Sequence, residues 1–125
     1  MSALSKILRQ AEGGMLLFWC PGCDGAHQVR VQTADSPHPC WSWDGDAERP
    51  TFSPSILVRG VEMTDKGRAD YEAWAAEGFK QPSPASFESR PSVCHSFVTD
   101  GQIAFLGDCT HKLAGQIVPL PPWGD

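Results

Sequence analysis

A chain of 125 residues carrying 10 basic and 15 acidic side chains, net charge −5, has the size of one domain with a modest core. The acidic balance and the scatter of Lys and Arg disfavour a nucleic-acid partner, because phosphate contacts need clustered positive charge. Apolar runs such as Met15 to Trp19 are far too short to cross a bilayer, and MSALSKILRQ lacks the apolar core of a secretory signal.

Leu4, Ile7, Leu8 and Ala11 recur at helical spacing, so residues 3–11 read as a short helix that Ser2 caps and Gly13-Gly14 ends. Met15 to Trp19 is a buried strand running into Cys20-Pro21-Gly22-Cys23. Residues 26–32 then alternate as a half-buried strand, with His27, Val29 and Val31 on one side. Two cysteines at a tight turn between strands form a zinc-knuckle pattern, whereas a redox CxxC expects a helix to start at the first Cys. Five cysteines in a chain without a secretory signal fit metal ligation in the cytoplasm better than a disulfide framework. The turn-like segment 33–40 carries His38 and Cys40, which read as a solvated imidazole and the thiol left over.

Trp41-Ser42-Trp43 has strand character, with both indoles on one face as core cover or a partner surface. In PTFSPSILV the prolines make the first part an edge or a bend, and Ile56 to Val58 a strand. Thr51, Ser53 and Ser55 are candidate nucleophiles by type, but with no local motif around them they read as turn-forming groups. Residues 60–92 change character: a helix over 66–79 and a Pro-rich loop make them an insertion in a single domain.

Asp100-Gly101 is a two-residue hairpin turn signal that pairs Thr99 with Gln102, Val98 with Ile103 and Ser96 with Phe105. Alternation then puts Cys94 and Cys109 on one face and His95 on the other, near Leu106. A helical turn over 110–114 and an edge strand over 116–118 complete the chain.

Cys20, Cys23, Cys94 and Cys109 therefore make a four-sulfur set suited to structural zinc, with His111, His95 and His27 as alternative ligands or hydrogen-bonded neighbours. Catalysis is the lesser reading. It would use a three-ligand zinc with a bound water, or Cys109 as nucleophile with His111 or His95 as base and Asp108 to orient it.

Three blocks carry a family resemblance: FWCPGC…H, WSWDGDAERPTFSPSILV and CHSFVTDGQIAFLGDCTHKLAGQIVPLP. The chain resembles a family of small phage and prophage proteins whose members often bear an ammonia monooxygenase label. That label does not suit a chain without a spanning segment. More distantly, the CPGC and Cys/His-hairpin parts look like small proteins found beside bacterial ubiquitin-like conjugation genes. The resemblance implies a phage-encoded accessory protein with Cys/His metal ligands in the cytoplasm of a bacterial host. The expectation is thus an α+β domain, mainly antiparallel sheet with short helices, organised round zinc. Its expected role is a protein-interaction module modulating host machinery; the alternative is a zinc- or cysteine-dependent hydrolase.

Overall fold

A computed structural model of the protein describes residues 2–31 and 40–124. The chain divides into two compact units, residues 1–58 with 93–125, and residues 59–92. Among the described residues no helix is long and apolar enough to cross a membrane.

The larger unit is antiparallel β-structure. Its first sheet takes β1 (Ser2–Ala3), β2 (Leu8–Ala11), β3 (Met15–Cys20) and β4 (Gly25–Arg30) in sequential order. The continuous apolar run MLLFWC is β3, flanked by β2 and β4. β4 turns His27 and Val29 inward and Ala26 and Gln28 outward.

No helix forms over residues 3–11. The Ser5 hydroxyl accepts from the backbone N–H of Ile7 (3.0 Å) and Leu8 (2.9 Å), and Leu8 pairs with Phe18 across the sheet. A short hydroxyl that satisfies nearby backbone groups competes with helix, and the wide β3 partner decides the outcome. Gly13 and Gly14, at φ 78° and 77°, form the turn of a hairpin between β2 and β3 instead of a helix stop.

The second sheet runs β5 (Ser42–Trp43), β6 (Phe52–Met63), β7 (Ser89–Thr99), β8 (Gln102–Phe105) and β9 (Ile117–Pro119). The β7–β8 hairpin has the expected register, Ser96 with Phe105 through Thr99 with Gln102. Asp100 and Gly101 both hold positive φ, 50° and 77°. β6 extends well beyond the strand expected over 56–58. β9 is the edge strand, and residues 112–115 form turns.

One core joins the two sheets: Leu8, Leu16, Phe18 and Val29 from the first, Phe52, Ile56, Val98, Ile103 and Phe105 from the second. Phe18 stacks on Phe52 with ring centroids 6.2 Å apart. Trp41 and Trp43 pack half-buried against this core. His38 lies outside the described residues; Cys40 is half-buried.

The smaller unit holds α1 (Asp65–Ala76), shorter than the helix expected over 66–79. Thr64 caps it, Oγ1 accepting from Gly67 N (3.2 Å) and donating to Glu88 Oε1 (2.6 Å). Tyr71, Trp74, Phe79 and Phe87 meet largely edge to face, the closest pair being Trp74 and Phe79 at 5.0 Å. A Cβ on Gly67 would overlap the Glu88 backbone. Gly67→Ala should therefore destabilise this unit by about 1–3 kcal/mol in chemical denaturation, despite the better helix propensity of alanine.

Candidate active site

Period-two alternation gives β7 two chemically different faces. Cys94, Ser96 and Val98 point into the core, and His95 and Phe97 point out. On the outer face His95 has partners on both ring nitrogens. Nδ1 lies 3.2 Å from Asp108 Oδ2, and Nε2 lies 3.2 Å from Ser55 Oγ. A carboxylate oxygen only accepts, so Nδ1 carries the proton and the Nε2 lone pair accepts the Ser55 hydroxyl. Nucleophile, base and orienter stand in that order, the arrangement that activates a serine hydroxyl. The imidazole is 27% exposed and the Asp108 side chain 57%, so solvent reaches the site and screens the His–Asp pair.

Ser55 is held by its backbone: its carbonyl accepts the Trp41 indole N–H at 3.1 Å. Trp41→Phe removes that bond and keeps the bulk, so stability should fall by about 0.5–1.5 kcal/mol, read by chemical denaturation, with the fold retained.

On the other side of β7 from His95 lie the sulfurs, Cys20 and Cys94 buried in the core and Cys23 exposed at the turn. Cys20 at the end of β3, Cys23 in the following turn, His27 on β4 and Cys94 on β7 bring their ligand atoms within 4.8 Å of one another. These four are close enough to hold a metal ion. The Cys20 and Cys94 Sγ atoms are 3.8 Å apart. A tetrahedral ion with metal–sulfur bonds of about 2.3 Å separates its sulfurs by about 3.8 Å. His27 is buried with Nδ1 unpartnered.

The thiols are electrostatically interdependent. The hydrogen bond from Cys94 is the main force lowering Cys20 to about 4, against the effect of burial. Burial, then the Cys20 charge, pushes Cys23 up to about 11. Cys94 is pushed up first by its bond to Cys20, then by burial. One thiolate is thus stabilised by protons on its neighbours, and a divalent cation is what allows all three to ionise together.

Cys109 and His111 form a second group with Cys94. The Cys109 sulfur faces the His95 backbone, accepting from its N–H and donating to its carbonyl, each at 3.2 Å. It does not bond the imidazole, so the Cys109–His95–Asp108 arrangement fails at its nucleophile. The His95 ring instead meets Asp108 Oδ2 and the Ser55 hydroxyl. His111 packs its ring over Gly22, where a Cβ would overlap it, and edge-on to Phe105 at 4.5 Å. Its Nδ1 accepts from Leu113 N at 3.2 Å, so Nε2, buried and otherwise unpartnered, bears a hydrogen. The ligand atoms of His111, Cys94 and Cys109 lie within 4.8 Å of one another. His95 belongs to neither Cys/His group. The Trp43 indole donates to Asp46 O at 3.3 Å.

An outward serine–histidine–carboxylate set is the side-chain arrangement that serine hydrolases use. The chain belongs to the family described as bacterial ubiquitination-like system serine protease (BubE), which matches residues 3–106. No curated protein and no solved structure matches it. The matched stretch includes Ser55 and His95 and ends two residues before Asp108, whose role rests on geometry. The family agrees with the looser resemblance, to proteins beside ubiquitin-like conjugation genes. It overturns the expectation of a phage interaction module: the family is one of proteases, and the hydrolase alternative stands closer to it.

Proposed function

We propose that the chain is a serine protease of a bacterial ubiquitination-like system, with Ser55 as nucleophile, His95 as general base and acid, and Asp108 as orienter. The observation that carries this is His95 bridging Ser55 Oγ and Asp108 Oδ2. Ser55 Oγ attacks the scissile carbonyl while His95 Nε2 takes its proton. His95 returns that proton to the leaving amine, and an ester on Ser55 remains. Water, deprotonated by the same nitrogen, then releases the acid.

The sheet face carrying Ser55 and His95 also exposes Leu57 and Phe97, each two residues further along its strand. This apolar surface supports a polypeptide substrate lying along the face. Phe97→Asp should raise KM about tenfold, the worth of a partly buried aromatic contact, and leave kcat close to wild type. The overall reading is tested by labelling with a fluorophosphonate and mapping the adduct. Modification of Ser55 is expected; modification elsewhere, or none, overturns it.

We also propose that Cys20, Cys23, His27 and Cys94 hold one zinc ion in a closed structural site of knuckle type. The donor set, three thiols and an imidazole on a turn and two strands, is the support. Such an ion takes no part in the hydrolytic steps.

A further inference from the structure

We infer that the metal cluster is the clamp that sets the catalytic base and its carboxylate, so that an ion on one face of the sheet controls a triad on the other. This rests on the protease and metal readings above. Cys94 and His95 are adjacent on β7, so one side chain enters the cluster while the other meets Ser55. Asp108 and Cys109 are adjacent as well: the carboxylate meets His95 Nδ1, and the buried thiol bonds the His95 N–H and carbonyl. The two catalytic partners of Ser55 are thus each next in sequence to a buried cysteine: His95 to Cys94 of the metal cluster, and Asp108 to Cys109, which is grouped with Cys94 and His111 and reaches the cluster through Cys94.

The regular sheet does not hold this geometry alone. The β7–β8 ladder ends at Ser96 with Phe105, and Asp108 lies in the turn beyond it. Past that point the two segments are joined by the Cys109 sulfur, by Leu106 N to His95 O at 2.9 Å, and by Thr110 N to Val93 O at 2.9 Å. Ser55 has separate support, on β6 and under Trp41. Movement of Cys94 or Cys109 therefore shifts base and orienter relative to the nucleophile, making both cysteines positioning residues.

The test uses full-length protein loaded with zinc and reads two quantities. One is the far-downfield proton resonance of the His95–Asp108 hydrogen bond, assigned by its absence in Asp108→Asn. The other is the fluorophosphonate labelling rate at Ser55. Cys94→Ser should lose the resonance and label at least about tenfold more slowly, since displacements on the order of 1 Å cost about 100-fold. Because that variant can fail to fold, zinc is also replaced by cadmium, whose longer metal–sulfur bonds strain the clamp in a folded protein. A shifted resonance and slower labelling with cadmium are expected. An unchanged resonance and rate with cadmium, or in zinc-stripped protein that keeps its sheet by circular dichroism, overturns the clamp. A resonance that follows the metal in a protein whose Ser55 never labels supports the clamp and removes the protease reading instead.

Discussion

Ser55→Ala should lower kcat for peptide hydrolysis by on the order of 10⁴-fold or more, because the hydroxyl is the only atom removed and the covalent route passes through it. The fold should hardly notice. The lost oxygen makes one bond, to the part-exposed His95 ring, worth about 0.5–1.5 kcal/mol. His95→Ala should cost a similar factor, and the double variant little beyond either single one, since nucleophile and base act as a unit. Asp108→Asn should be milder, about 10- to 1,000-fold, because more than half of that side chain is exposed and water can partly replace it. Initial rates of peptide release, with circular dichroism as the control for folding, decide the matter. If Ser55→Ala kept more than about a hundredth of wild-type activity, against the expected loss, another nucleophile would be at work, and Cys109→Ala would be the next variant to measure.

What was legible in advance follows from which signals are local. The hairpin register could be read because Asp100-Gly101 admits few alternatives, and strand alternation then sent Cys94 inward and His95 outward. CPGC could be read as a metal turn from four residues. The N-terminal helix could not be excluded: its apolar spacing is truly helical, and only pairing with β3 overrides it. The contact between Ser55 and His95 is not legible for a different reason. Ser55 meets a histidine 40 residues away, so no motif near it announces a nucleophile. The available clue was His95 itself. Alternation had already turned it away from the sulfurs, and a histidine directed off a metal cluster calls for a partner on the opposite face. Ser55 is a candidate nucleophile by residue type alone, and only the fold brings its hydroxyl to that ring.

Removing the metal should lower the melting temperature more than any single core substitution. Structural zinc binding is worth about 10 kcal/mol or more in small modules, comparable to the whole stability of a typical domain at about 5–15 kcal/mol. The placement of the ligands explains the leverage. Cys20, Cys23 and His27 come from the first sheet and its turn, Cys94 from the second, so an ion held by them would tie together two sheets otherwise joined by contacts such as Phe18 on Phe52. Thermal unfolding with and without a strong chelator measures the effect, and elemental analysis should find one zinc per chain. The ligand set is separable in the same experiment. Cys20→Ser, Cys23→Ser, His27→Ala and Cys94→Ser should each lose the metal. Cys109→Ser should retain it, losing about 1 kcal/mol with its bonds to the His95 backbone. The reverse pattern, zinc lost in Cys109→Ser and kept in His27→Ala, would establish the four-sulfur set. His111→Ala should leave the zinc stoichiometry at one, because the proposed ligand set does not include that imidazole, whose Nδ1 accepts from Leu113 N.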